Sequence, residues 1–255
     1  GYLLWSSKSS DLPVLATTSS DPNGSGALGD ANTAIVFGGS SINGEARGGG
    51  KFDMGLWLDS GQSSALQMTY YFLGEKEESF FGSQVDYPLL ARPFFNVDTA
   101  AEDARIIADP DEFDGSLNLR ATTELHTSAL AYRQLVSRRP GRRVDCLMGY
   151  RFAYLGDAVN ITHTSTDLRG ADMGTIVDLA DSFETRNTFH GAEIGFELQQ
   201  EMDRIWTCVA IAKIALGGSH SKTQIVGQTT TNDGNAVTTT TSGLLVQQTN
   251  RGPFC

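Results

Sequence analysis

The chain has 255 residues, 40% of them apolar, with 28 glycines and a formal net charge of −11. Phosphate backbones would repel so acidic a molecule, which excludes nucleic acid as a partner, and the length suits one large β domain or two small ones. Cys146, Cys208 and Cys255 are odd in number and show no C-x-x-C spacing, so neither a zinc site nor a full disulfide framework is implied and they read mostly as free thiols. No apolar run approaches the ~18 residues of a membrane helix, and no signal peptide opens the chain, which reads as mature or as starting late.

In chain order, Tyr2-Leu3-Leu4-Trp5 opens a first strand. Residues 8–50 are rich in Ser, Gly, Asp and Asn and read as a long loop, with the short apolar run Ala34–Phe37 as its one candidate strand. Gly24-Ser25-Gly26-Ala27-Leu28-Gly29 matches the G-x-G-x-x-G dinucleotide fingerprint, but no strand feeds it and no helix follows, so it carries no weight. Then Phe52, Met54, Leu56 and Leu58 alternate with Lys51, Asp53, Gly55 and Asp59, and Leu66, Met68, Tyr70 and Phe72 alternate with Gln67 and Thr69. This period of two predicts strands over Lys51–Asp59 and Ala65–Gly74. The linker Ser60-Gly61-Gln62 contains a glycine able to take a positive backbone angle, which predicts an antiparallel hairpin with one apolar and one polar face.

Residues 75–115 hold Pro88, Pro93, Pro110 and several acids and read as a second long loop. Ser116–Val136 reads as extended and ends at the short turn Arg138-Arg139-Pro140-Gly141-Arg142-Arg143. Alternation resumes with Val144, Cys146, Met148, Tyr150, Phe152 and Tyr154 on one face and Asp145, Gly149, Arg151 and Ala153 on the other. Residues 156–182 read as a third loop. Ala192, Ile194, Phe196 and Leu198 then alternate with Glu193, Gly195, Glu197 and Gln199, and after a short turn Arg204–Leu216 returns, apolar save for Lys213. Residues 217–255 form a Thr-rich fourth loop, with a hairpin about Asn232-Asp233-Gly234-Asn235.

Short turns thus follow the even-numbered strands and long loops the odd-numbered ones, so the long loops gather at one end. Transmembrane β-barrels show this pattern, with strands of ~10 residues that are apolar outside and polar inside. Every backbone amide then pairs with a neighbouring strand and none faces hydrocarbon. Trp5, Trp57 and Trp206 fall near the short-turn end, as an aromatic girdle requires, although Trp57 has the parity of the polar face. The expected architecture is all-β: a single antiparallel up-and-down transmembrane barrel domain over residues 1–255, incomplete in this chain. The strand candidates are odd in number, so the Tyr2 strand and the Trp206–Leu216 strand are expected to pair with segments outside these 255 residues, from a continuation or a neighbouring copy.

Several short pieces, in order, resemble a family known as putative beta-barrel porins, the seventh such family, described in planctomycete-type bacteria. They include Tyr2-Leu3-Leu4-Trp5, Leu12-Pro13-Val14-Leu15, Val36-Phe37-Gly38-Gly39, Gly49-Gly50-Lys51-Phe52 running into Gly55-Leu56-Trp57-Leu58-Asp59, Ala91-Arg92-Pro93-Phe94-Phe95, Gly149-Tyr150-Arg151, Thr185-Arg186-Asn187, Phe189-His190-Gly191 and Lys213-Ile214-Ala215-Leu216-Gly217. Ser6 departs from the pattern, where members often have a second tryptophan, and members usually continue past the point where this chain stops. The resemblance implies a bacterial outer-membrane barrel.

The function expected is a passive, porin-like pore and not an enzyme. The alternative is a structural or binding protein whose loops make the contacts. Lys51, Asp53, Gln67, Arg133, Asp145, Arg151, Glu193, Glu197 and Lys213 occupy the polar parity and are the expected lumen, with a modest cation preference from the net charge, Glu193 and Glu197. Asp109, Asp111, Glu112 and Asp114 are oxygen-rich enough for a divalent cation but lack the D-x-D-x-D-G spacing, and read equally as a solvated acidic loop. His126, His163, His190 and His220 are scattered, with no nucleophile context beside them, so they read as structural or solvated and no cofactor is expected. The four arginines about Pro140 read as a solvated turn, or as contacts to anionic head groups. Outer-membrane lipid and further copies of the chain are the expected partners. Phe52, Met54, Leu66, Met68, Met148, Tyr150, Phe152, Ile194 and Phe196 are expected to face lipid, so that arginine at Met148 is costly and arginine at luminal Gly149 milder.

Overall fold

The computed structural model describes residues 1–5, 10–21, 23–42 and 46–254. Among these the chain forms only strands and their connections: β1 Tyr2–Trp5, β2 Ser10–Asp11, β3 Ala16–Ser19, β4 Thr33–Phe37, β5 Ser41–Ile42, β6 Arg47–Trp57, β7 Ser64–Ser83, β8 Leu90–Asn96, β9 Ala101–Ala108, β10 Phe113–Arg139, β11 Arg142–Asp167, β12 Ile176–Glu201, β13 Thr207–Asn232, β14 Val237–Thr240 and β15 Gly252–Phe254. The main sheet runs β1-β6-β7-β10-β11-β12-β13-β14, with β15 also on β13, and its pairings are antiparallel. A second sheet, β4-β3-β8-β9, shares no strand pairing with it. The all-β, antiparallel, up-and-down class expected from the alternation is the one that forms.

Short connections at 58–63, 140–141 and 202–206 fall at one end of the main sheet, as the turn signals require. In the first of these the positive angle falls on Gln62 (φ 55°) and not, as expected, on Gly61. The Asp59 carboxylate holds that turn by accepting from the backbone N–H of Ser63 at 2.9 Å and of Ser64 at 2.7 Å. These bonds, with those from both hydroxyls, keep Asp59 well below the usual carboxylate range.

The loop boundaries at the opposite end need correction. Strand continues through much of 75–115, 156–182 and 217–255: β7 runs on to Ser83, β10 begins at Phe113, β11 reaches Asp167, β12 starts at Ile176 and β13 extends to Asn232. Only 168–175 connects β11 to β12. The span 8–50 holds β2 to β5 and the start of β6, and its single expected strand corresponds to β4. The Thr-rich hairpin does form, with Asn232 opposite Val237, Gly234 at φ 81° and the Asp233 carboxylate accepting from the N–H of Asn235 and Ala236.

The two halves of the long strands bury opposite faces. Toward the short turns, the face carrying Phe52, Met54, Leu66, Met68, Leu130, Met148, Ile194 and Phe196 is exposed, Met54 to 70%, while Asp145, Glu193 and Glu197 on the other face are buried. Further along the same strands, and with no change of parity on β10, β11 and β12, the inner face becomes apolar. There Leu117, Leu119, Ala121 and Ile161 pack against Leu12, Leu15, Ala16, Leu90, Ile107 and Ala108, so the second sheet and its approaches fill the inner side. The outer face there carries Asn118, Arg120, Asn160, Thr162, Thr164 and Asp178. Where the two regimes meet, outward aromatic and histidine rings form a belt across four strands. Tyr70 stacks on Phe72 and His126, His126 meets Tyr154, and His190 meets Tyr150 and Phe152. The Tyr70 hydroxyl and His126 Nδ1 share a hydrogen bond of 2.9 Å.

The tryptophan girdle also needs correction. Trp57 and Trp206 lie at the short-turn end, but the β1 register puts the Trp5 backbone opposite Arg47, at the far end of β6. The sheet does not close on itself: β1 pairs with β6, and β13 takes β12 on one edge and short segments on the other, at Thr223–Ile225 and Thr229–Asn232. Among the described residues nothing pairs with that second edge over Thr207–Lys222.

Gly149 cannot serve as a mild luminal control, because a Cβ there would meet the Leu130 carbonyl oxygen at 2.1 Å. Ala215, inward and opposite Glu193, replaces it. Met148→Arg is expected to lower refolding stability in lipid bilayers by ~2–4 kcal/mol and Ala215→Arg by clearly less. Equal losses in denaturant titrations of the two variants would contradict the assignment of faces.

Candidate functional site

The register places every residue expected on the polar parity on one face. Lys51 and Asp53 lie opposite Tyr71 and Thr69, Gln67 lies between Gly55 and Ala131, and Arg133 lies between Ala65 and Leu147. Asp145 is directly opposite Glu197, Arg151 opposite Gly191, Glu193 opposite Gly149 on one side and Ala215 on the other, and Lys213 opposite Gly195. Glycine and alanine fill most of the positions between, with Thr69, Tyr71 and Leu147 among the exceptions, so the long charged chains have room to lie across neighbouring strands.

They form ion pairs. Arg133 Nη2 is 2.5 Å from Asp145 Oδ2 and 2.9 Å from Glu197 Oε1. Arg143 donates from Nε to Asp145 Oδ2 at 2.7 Å. Glu193 takes Arg151 and, at 3.1 Å, Lys213. Asp53 pairs with Lys51 at 3.2 Å and accepts from the Thr69 hydroxyl at 2.8 Å. Asp145 uses both oxygens, accepting from Arg133 and from Nε and Nη2 of Arg143, whereas Glu193 Oε1 is buried and meets Lys213 through an ion pair without a hydrogen bond, so this wall is charged residue by residue but compensated overall.

Sequence reasoning missed Arg143 as a member of this wall. Its guanidinium lies 4.8 Å from the Trp57 ring centroid, and that of Arg133 lies at 5.5 Å. This explains the inward parity of Trp57: its ring carries cations and is not part of an interfacial girdle. The arginine turn divides. Arg138 donates to the carbonyls of Gly61 and Gln62, and Arg143 also reaches Gln62, so these two tie adjacent turns together, whereas Arg139 and Arg142 remain exposed.

The acidic stretch does not converge. Asp109 Oδ1 accepts from the Asp111 N–H within a turn, Asp114 belongs to β10, and no group of three or more His, Cys, Asp or Glu is arranged to hold a metal among the described residues. Cys146 and Cys208 are free thiols, and Cys255 lies outside the described residues.

A second charged cluster, unforeseen in the sequence, joins the second sheet to the main one beyond the aromatic belt. Arg92 of β8 donates to Asp181 of β12 at 2.5 Å, with both side chains at most 1% exposed. Asp181 also accepts from the backbone N–H of Val246 at 3.0 Å. Arg92 Nη1 lies 3.2 Å from His163 Nδ1, so that nitrogen is the acceptor and the proton sits on Nε2. Burial, with the guanidiniums of Arg92 and Arg105 nearby, holds His163 down to about 3.

The sequence model of the family described as Putative beta barrel porin-7 matches residues 1–255. No curated protein and no solved structure matches the chain.

His163 is neutral when folded and titrates near 6.5 when unfolded, so below about pH 6.5 the unfolded chain binds a proton that the folded chain refuses. Stability is therefore expected to fall as the pH drops from 6.5 toward 3, with His163 contributing roughly 2–3 kcal/mol of loss by pH 4.5. Urea midpoints at pH 7 and 4.5 should diverge strongly in the parent chain and less in His163→Gln. Equal divergence in both would rule His163 out as the cause.

Proposed function

Because this chain belongs to the beta barrel porin-7 family, whose model spans it, we propose that it is a single barrel domain in a bacterial outer membrane. It acts as a passive, non-enzymatic pore for small polar solutes, with Lys51, Asp53, Gln67, Arg133, Asp145, Arg151, Glu193, Glu197 and Lys213 lining the lumen. The observation that carries this reading is the outward apolar band over a buried charged wall, the reverse of a water-soluble barrel. From Cys146 to Tyr154 the band covers about 27 Å of strand at ~3.4 Å per residue, or ~20 Å of depth at a tilt of about 40°. That is close to the ~25 Å apolar height of outer-membrane barrels. Unpaired strand edges cost several kcal/mol per group in hydrocarbon, so the edges of β1 and β13 are covered in the membrane by other strands, from a neighbouring copy in a homo-oligomer or from elsewhere in the polypeptide.

Each carboxylate of the inner wall has a cation against it, so this wall adds little to the cation preference expected from the net charge. A second reading, a surface protein anchored by its barrel, is favoured by the packing of the second sheet against Leu117, Leu119 and Ile161, which fills the inner side beyond the band.

Fractionation of the envelope followed by planar-bilayer recording separates the two. A pore gives outer-membrane material with steady unit conductance and a reversal potential near zero in a salt gradient. Outer-membrane material with no conductance at any voltage would support the anchored surface protein instead.

A further inference from the structure

Beside the buried Arg92–Asp181 pair stands a second guanidinium without a counter-charge. Arg105 of β9 is the cross-strand partner of Arg92, and the Asp181 carboxylate is already taken by Arg92 and by the backbone N–H of Val246. Among the described residues Arg105 makes no hydrogen bond and no ion pair. Burial pulls its guanidinium below the usual range, and no carboxylate offsets that. A half-buried cation set beside Arg92 and His163 is costly, and such a charge calls for a partner.

Arg105 lines a cavity of about 490 Å³ at the long-loop end of the inner face, together with Ser165, Asp167, Asp172, Thr231 and Asp233 among others. Its Nε is buried without an acceptor, whereas its two terminal nitrogens, also unbonded, are not enclosed and are the part of the side chain that a guest can reach. The three aspartates stand toward the mouth, with Asp172 and Asp233 exposed and Asp167 half-buried at the end of β11. None of the three is in an ion pair among the described residues. Turn N–H groups hold one oxygen of Asp167, from Arg169, and one of Asp233, from Asn235 and Ala236. The other oxygen of each stays open.

The cavity therefore holds one unpaired positive charge within and three negative charges toward its mouth. A simple anion would satisfy Arg105 but meet the aspartates, and a simple cation would do the reverse. A molecule carrying both charges answers both, because a carboxylate matches the forked donors of a guanidinium and an ammonium suits open carboxylates. The volume of about 490 Å³ lies within the ~300–1,000 Å³ of small-molecule sites.

We propose that this cavity binds a zwitterionic amino acid, its carboxylate on the terminal nitrogens of Arg105 and its ammonium toward Asp167, Asp172 and Asp233. The surplus of aspartates favours an amino acid with a cationic side chain. The site lies beyond the aromatic belt and does not depend on whether the barrel conducts.

The test is isothermal titration of L-lysine into the full chain in detergent micelles, with acetate and n-butylamine as probes of the two half-charges. Saturable heat with L-lysine, and none with acetate or n-butylamine at the same concentrations, is the expected result. Arg105→Gln, its fold checked by circular dichroism, should weaken L-lysine binding about tenfold, the loss of one charge-assisted contact, and Arg105→Lys should restore part of it. Absence of saturable heat with L-lysine, equal heat with either half-charge probe, or unchanged affinity in folded Arg105→Gln would each overturn the site. If Arg105→Gln does not fold, Asp172→Asn decides, since that position is exposed: weaker L-lysine binding supports the site and unchanged binding overturns it.

Discussion

The constraint on which the rest depends is that the backbone of the central long strands β11 and β12 is satisfied within the sheet, leaving side chains alone to decide what each face meets. Along β11 the ladder to β10 and β12 continues from Val144 to Thr166. The side chains on it reverse their preference about midway. Met148, Tyr150 and Phe152 turn apolar groups outward over inward Asp145 and Arg151, whereas Val159 and Ile161 turn apolar groups inward under outward Asn160 and Thr162. One strand can do this because its faces are independent at period two, so each half answers to its own surroundings.

Each regime has its own means of filling the inner side. Over the short-turn half, charged chains lie across glycine and alanine and neutralise one another, and Trp57 serves as a platform for two guanidiniums. A single buried partner removed from such an arrangement leaves an uncompensated charge, which is why the wall is expected to be rigid and not adaptable. Over the other half, aliphatic packing does the work, and the Arg92–Asp181 pair fixes where the second sheet sits. Asp181 binds both Arg92 and the Val246 amide, so one carboxylate ties the second sheet and the turn near Val246 to the same point on β12. The aromatic belt from Tyr70 to His190 marks the level at which one means gives way to the other.

The fold class, the even spacing of short turns and the shared face of the charged residues were legible because strong apolar alternation runs through Phe52–Leu58, Leu66–Phe72, Val144–Tyr154 and Ala192–Leu198. The strand extensions were not. Beyond Tyr154 the outward positions are Ala158, Asn160, Thr162 and Thr164, a composition that also marks loops, and the inward ones include His163 and Ser165. The alternation survives there only as a contrast between small aliphatics and hydroxyls, which a loop reading absorbs. Arg143 escaped notice because it sits in a run of turn arginines, and Trp57 was legible as an exception to the girdle without its cause. Arg92, His163 and Asp181 lie far apart in sequence and carry no spacing signal, so only the tertiary packing brings them together.

The reversal of faces is tested most directly by spin labels placed singly along β11 at Met148, Tyr150, Phe152, Asn160, Thr162 and Thr164 in the cysteine-free chain reconstituted in liposomes. The quantity measured is collisional relaxation by oxygen, which concentrates in lipid, against that by a water-soluble nickel chelate. Oxygen-dominated relaxation is expected at the first three positions and nickel-dominated relaxation at the last three. Nickel-dominated relaxation at Met148, Tyr150 and Phe152 would show that the apolar face does not meet lipid and would contradict the reversal of faces.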